Sequence, residues 1–404
     1  MQRTLRFAQY LPRYGWDPIV LTIDPRAYEA RYSGHVECPV PENQIHRAFG
    51  LDAARHLSIG GRYPRALALP DRWASWSIFA VRMAKRLAAE RRIDALMSTF
   101  PVATAHQIGL KVAQRTGLPW IAEFRDPMWQ GDYPPDPLVN RYWLDLERKV
   151  LAHAAAAILV TPSARADYAQ RYPQIAKQSR LHLIENGYDE AAFQAAEARI
   201  ANRPYGESRR DGPVTLLHSG VIYPSERNPS QLFRAIADLK CTGHVDATIL
   251  RVILRAAGDT NAFEKTVREL GISDIVSFER GIAYEEALEE MLCVDGLLLL
   301  QASNCNAQIP AKAYEYLRAR RPILALTDPI GDTARLVLST SAGIVARLDS
   351  RSEIAAALTR FVRSARKHEP NHRHQAALDA YSREAQTGQL ARILNETAER
   401  RQDG

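Results

Sequence analysis

The residues best suited to chemistry are cations and carboxylates set close to predicted loops. Lys312 and Glu315 stand three apart in IPAKAYEYL (309–317), so on a helix they share a face. Pro310 suits the first helical position, where no N–H is needed. A lysine in that first turn meets the positive end of the helix dipole, and is disfavoured unless an anion sits there too. The pair therefore fits an anionic, hydroxyl-rich ligand. A second cation, Arg227, lies in the polar loop of LHSGVIYPSERNPSQL (217–232), which opens with Ser219 and Gly220. Glycine there allows close backbone approach. A third locus, EFRDPMW (123–129), sets Asp126 beside Arg125. The arginine keeps that carboxylate ionised, able to accept or orient a hydroxyl proton. Each pattern also has a plain structural reading: a surface Lys–Glu pair, an ordinary strand-to-helix loop, and an Asp–Arg pair capping its loop.

These residues need elements to place them. The run 296–301 has the length of a buried parallel strand, 302–308 is small and polar, and the helix opened by Pro310 ends before Pro322. A loop leaving such a strand and opening a helix is where α/β folds bind phosphates. Further strands are predicted at 18–24, 93–98, 119–124, 157–161 and 181–184. A second set is expected at 214–218, 248–257, 275–278, 323–326 and 342–346. Helical patterns alternate with them, which implies parallel sheets. Residues 25–75 read as irregular. Trp73 and Trp76 read as core anchors of a helix running to Glu90, and His106 reads as structural. At 404 residues the chain should hold two domains. The expected division is 1–187, a linker at 188–212, 213–375, and a final helix at 376–404.

Composition narrows the class. The net charge of +7 leans basic, which suits a phosphorylated substrate or an anionic membrane surface. No nucleic-acid-binding motif is present. Cys38, Cys241, Cys293 and Cys305 are far apart, and read as reduced thiols of a cytoplasmic protein. No apolar run reaches the ~18 residues of a membrane span, and the first residues lack the apolar core of a signal peptide. There is no metal-ligand spacing, GxSxG, P-loop or complete GxGxxG, so neither metal nor cofactor is expected.

The segment IPAKAYEYLRARRPILAL resembles the donor site of retaining GT-B glycosyltransferases of the group 1, family 4-like type. The likeness extends over nearly the whole chain and is closest in 214–330. It implies an α/β fold of two Rossmann-like domains facing across a cleft, with the final helix crossing back and a hinge at 186–212. It implies sugar transfer from a nucleoside diphosphate sugar to an acceptor hydroxyl, on a polysaccharide or lipid-linked glycan at the inner membrane face. Glu315 would bind the ribose. Arg227, Lys312 and the amides around Gly220 would meet the diphosphate, and main-chain groups near Ile282 would receive the base. Asp126 would stand beside the acceptor. Two departures are visible. Ala307 replaces a second glutamate of the family, and Val221 replaces a frequent arginine. They leave room for a non-catalytic, nucleotide-binding scaffold on this fold. A nucleotide-sugar epimerase would need carboxylates and histidines around the sugar, a set not found here.

The start adds one more expectation. The helix of 2–13 and the strand after it match the family's first helix and second strand. In that family a strand and a glycine-containing turn come before the helix. The 404-residue sequence is therefore expected to be a shortened form of a longer protein, with Met1 a misplaced start.

Overall fold

A computed structural model describes residues 2–28, 38, 40–178, 180–202, 212–367 and 378–402. The chain opens on helix α1 (Gln2–Tyr10) and a 3-10 turn, Leu11–Tyr14, which Gly15 closes at φ 82°. Strands β1 (Val20–Ile23) and β2 (Ile45–Ala48) follow, then α2 (Trp76–Glu90), β3 (Leu96–Phe100), α3 (Ala103–Thr116), β4 (Trp120–Phe124), α4 (Pro137–His153), β5 (Ala156–Leu159), α5 (Pro162–Arg171) and β6 (Leu181–Leu183). Next come α6 (Glu190–Ala201), β7 (Val214–Ser219), α7 (Ser230–Cys241), β8 (Leu250–Arg255), α8 (Asn261–Glu269), β9 (Val276–Glu279), α9 (Tyr284–Cys293) and β10 (Gly296–Leu300). The last elements are α10 (Ala311–Ala319), β11 (Ile323–Leu326), α11 (Asp332–Ser339), β12 (Gly343–Ala346), α12 (Arg351–Arg366) and α13 (Arg383–Gln402).

Two units result: residues 1–185 with 383–404, and residues 186–382. In unit 2 the strands form one parallel sheet in the order β12-β11-β10-β7-β8-β9. The apolar run Leu297–Leu300 is completely buried there, as a strand covered on both faces should be. Unit 1 has a parallel sheet β3-β4-β5-β6 and a separate parallel pair, β1-β2.

The structure corrects four expectations. β2 lies inside the stretch read as irregular; its sequence IHRA is mostly half-exposed and carries no alternating pattern. α6 lies inside the expected linker, whose residues 203–211 fall outside the described ones. This helix is held by its few large contacts: Phe193 is buried, and Glu190 and Glu197 pair with Arg318 at 2.6 and 2.7 Å. The first boundary thus falls at Glu185–Asn186, and α6 belongs to unit 2. The final helix begins at Arg383, not at 376. Leu378 and Tyr381 pack into unit 2, and Ser382 bridges to Tyr188, before the chain returns to unit 1.

Candidate functional site

The site grows from the end of β7. The Ser219 N–H donates to the Tyr316 hydroxyl at 2.9 Å, fastening the strand end to α10. Gly220 then takes φ 117°, a conformation that favours glycine. A Cβ placed on it would lie 2.9 Å from Lys312 Nζ, so the ammonium rests against bare backbone at the start of α10. His218, fully buried on β7, holds it there. The imidazole Nδ1 lies 3.0 Å from the Leu298 carbonyl oxygen and can only donate to it. Nε2, 3.2 Å from Lys312 Nζ, then accepts from the ammonium. Burial and the nearby Lys312 hold His218 well below the usual histidine range, hence neutral. Burial, and then Arg227, push Lys312 down to about 7, while Glu315 pulls the other way. A cation so poorly compensated is a seat for an anion.

Around it stand the other unit 2 residues. Arg227 donates from Nη1 to the Val221 carbonyl at 2.8 Å and lies over the Tyr223 ring at 5.2 Å. Glu315, on the next turn of α10, accepts from the Tyr284 hydroxyl at 3.0 Å. Tyr284 opens α9 two residues after Ile282, which is exposed in the loop from β9. One hydrogen bond therefore links the Ile282 loop to the face that carries Lys312 and Glu315. Val221 projects into solvent just after Gly220, and Ala307 is half-buried in the loop before α10. A cavity of about 250 Å³ borders the Arg227 loop, lined among others by Asn228, Ser230, Ser303 and Arg347.

The structure thus brings together Gly220, Arg227, Lys312 and Glu315, and Tyr284 ties the loop of Ile282 to Glu315. Asp126 belongs to unit 1, half-buried in the loop after β4. Beside that loop is a network that sequence reading missed. Glu123, completely buried in β4, pairs with Arg3 Nε at 2.7 Å and accepts from the Thr99 hydroxyl at 2.7 Å. Arg3 also donates to the carbonyls of Ile184 and Glu185, at 2.8 and 2.5 Å. The signal was one glutamate inside the apolar strand WIAEF, a charge that must be paired when buried. His106 is structural as expected. It is buried, bonded to Ser98 at 2.8 Å, and pushed by burial down to about 3. Among the described residues, no group of three or more His, Cys, Asp or Glu could hold a metal ion. No helix among them is long and apolar enough to cross a membrane.

Residues 2–187 match the family model of the glycosyl transferase 4-like domain. That match takes in a little under half of the chain. An MMP alpha-(1->4)-mannosyltransferase of Mycolicibacterium hassiacum is 26% identical over 285 residues, covering 64% of this chain. The match spans 62% of that relative's length, less than two thirds of it. Among solved structures, sucrose-phosphate synthase from Thermosynechococcus elongatus superposes with a TM-score of 0.63 at 15% identity, over 97% of this chain and 91% of that one. Anabaena HepE in complex with UDP-glucose gives 0.63 at 13%, over 98% and 95%. At such identities the likeness shows the fold alone. That fold is the two-unit α/β architecture of the GT-B type.

Proposed function

We propose that this chain transfers a sugar from a nucleoside diphosphate sugar to an acceptor hydroxyl, with retained anomeric configuration and without a metal. One observation carries the reading: the Lys312 ammonium is held against the Gly220 turn, at the amino end of α10, by a neutral His218. A departing nucleoside diphosphate gains negative charge there. Stabilising that charge is the main electrostatic task, and Lys312, Arg227 and the amides after Gly220 would perform it. Glu315, aligned by Tyr284, would accept hydrogen bonds from the ribose hydroxyls, and the backbone at Ile282 would receive the base. In unit 1, Asp126 would orient the acceptor hydroxyl. That HepE was crystallised with UDP-glucose supports the donor class. The acceptor would be a growing polysaccharide or lipid-linked glycan, with the +7 net charge favouring peripheral contact with an anionic membrane.

The test is to incubate the purified chain with a panel of nucleotide sugars, with and without EDTA, and to measure released nucleoside diphosphate. Slow donor hydrolysis that survives EDTA is expected. NMR of the glycosylated product would report its anomeric configuration. Val221 and Ala307 favour a second reading, a nucleotide-binding scaffold, which would bind a nucleotide and release none. Interconversion of two nucleotide sugars would mark an epimerase instead.

A further inference from the structure

Unit 1 holds a cavity of about 660 Å³ with a cationic lining. Arg148, Arg171 and Arg180 line it together with the amides of Gln174 and Gln178, and no carboxylate is among its lining residues. Part of its wall is apolar, with Leu151 and Ile175 buried. These residues come from the last two turns of α4, the end of α5, the short helix Pro173–Lys177 with the residue after it, and the residue just before β6. Helices α4 and α5 end where β5 and β6 begin, so the cavity lies at the amino ends of these strands. Thr99 and Asp126 stand at the carboxyl ends of β3 and β4, the opposite end of the same parallel sheet. Open α/β sheets bind their substrates at that carboxyl end, so the cavity is a separate place.

The three guanidinium groups are not balanced by their partners. Arg171 is paired: its Nε donates to Asp167 at 2.8 Å and its Nη1 to Glu147 at 2.5 Å. Arg180 donates only to backbone, to the Leu151 and Ala154 carbonyls at the end of α4, each at 3.0 Å. Such carbonyls carry the partial charge of a helix end, not a full one. Among the described residues no carboxylate pairs with Arg180 or with the exposed Arg148. Burial lowers the pKa of Arg180 from the ordinary arginine range. Two more donors, Arg180 Nε and Arg171 Nη2, are buried without an acceptor among the described residues. A buried cation is stable when an anion stands beside it, and here the cavity is the place left for one.

We propose that this cavity binds a small phosphorylated sugar, its phosphate held by Arg148 and Arg180 and its hydroxyl groups by Gln174 and Gln178. A guanidinium is planar and donates parallel hydrogen bonds, a match for phosphate oxygens. A side-chain amide both donates and accepts, which suits sugar hydroxyls. The volume is that of a small-molecule site, roughly 300–1,000 Å³. A lipid headgroup is the poorer match: among the described residues no large apolar side chain between residues 139 and 220 is exposed, so nothing beside the cavity enters a bilayer. The cavity wall is also tied to the loop after β4. Glu147, completely buried, accepts from Arg171, from the Tyr172 hydroxyl at 2.7 Å, from the Tyr168 hydroxyl at 2.5 Å and from the Trp129 N–H at 3.3 Å. Tyr168 in turn accepts from the Met128 N–H at 3.0 Å, and Arg171 lies over the Trp129 ring at 5.5 Å. A bound phosphate competes with Glu147 for Arg171, and so acts on the loop that carries Asp126. The site does not depend on what unit 2 binds.

The experiment titrates the full chain with glucose 6-phosphate, inorganic phosphate, sulfate and glucose by calorimetry at low ionic strength. Glucose 6-phosphate should bind at least about tenfold more tightly than the other three, because it alone uses both the arginines and the amides. Arg148 is exposed and unpaired among the described residues, so Arg148→Gln should melt as the parent does and still lose at least about tenfold in glucose 6-phosphate affinity. Arg180→Gln should lose as much, but Arg180 also caps α4, so Arg148→Gln is the deciding variant. Arg227→Ala and Lys312→Met should leave this affinity unchanged, which separates the cavity from any phosphate binding in unit 2. Glucose 6-phosphate should also change the tryptophan fluorescence, and Trp129→Phe should remove that change. Affinity untouched by Arg148→Gln, affinity lost in Arg227→Ala, or sulfate bound as tightly as glucose 6-phosphate would overturn the proposal. A fluorescence change that persists in Trp129→Phe would overturn the link to the loop.

Discussion

Lys312 carries the clearest electrostatic tension in unit 2, and its sign can be worked out. Its pKa is lowered in the folded protein to about 7, by burial and Arg227 against the pull of Glu315, with neutral His218 adding no charge. A bound diphosphate favours the charged ammonium and raises that pKa. Below about pH 7 the lysine is already protonated and binding needs no proton. Above it, binding must take one up. UDP affinity should therefore fall as pH rises beyond about 7, by at most about tenfold per pH unit. Titration calorimetry in buffers of different ionisation enthalpy should record the proton uptake, and Lys312→Met should abolish both effects. Affinity that stays flat from pH 7 to 9 would refute this assignment. Glu315→Gln should weaken UDP binding by roughly tenfold or more, since a charged hydrogen bond contributes ~1.5–3 kcal/mol. Arg227→Ala should weaken UDP far more than uridine, and equal losses would remove it from the diphosphate site. Lys312 and Glu315 were legible because a proline start and three-residue spacing put them on one helical face. The His218–Lys312 bond was not, because it joins residues 94 positions apart.

Elements were legible where their burial is continuous along the sequence. Gly296–Leu300 and Trp120–Phe124 are apolar runs bounded by turns, and the structure buries every one of their residues. α6 was not, because its alanines give no apolar stripe and its anchors are ion pairs to Arg318, more than 120 residues away. The strand-to-helix turn at Gly220 shows what an element contributes beyond its residues. It couples the end of β7 to α10 through the Ser219–Tyr316 bond and leaves room for the ammonium. Gly220→Ala tests that coupling. The new Cβ would meet only the flexible end of Lys312, so its steric cost is small. Holding alanine at a φ of 117° costs more, on the order of 1–3 kcal/mol for a strained backbone position. The variant should melt lower and bind UDP more weakly than Lys312→Met does, because both the turn amides and the lysine move. Unchanged UDP affinity would show that the turn does not touch the ligand.

At the scale of the whole molecule the two units differ in how they are closed. Unit 2 is one continuous stretch whose ends are tied together. The Tyr188 N–H donates to the Tyr381 carbonyl and the Tyr188 hydroxyl to the Leu378 carbonyl, both at 3.1 Å. Its sheet is a single six-stranded one with its own core. Unit 1 instead depends on a segment from the other end of the chain. Leu390, Ile393 and Leu394 of α13 are buried against Phe7, Leu11, Ile121 and Ile158. Burying one large aliphatic side chain contributes ~1.5–3 kcal/mol, so removing α13 forfeits roughly 4.5–9 kcal/mol from these three. That rivals the ~5–15 kcal/mol by which a whole domain is stable. A chain ending at Ser382 should therefore lose the melting transition of unit 1 and keep that of unit 2. The fragment 186–382 should fold cooperatively by itself and bind UDP within about threefold of the full chain, a change under 1 kcal/mol. Scanning calorimetry and UDP titration check both. If the chain ending at Ser382 kept both transitions, α13 would not be a structural part of unit 1. If the fragment folded but failed to bind, unit 2 would need residues of unit 1 to complete its nucleotide site.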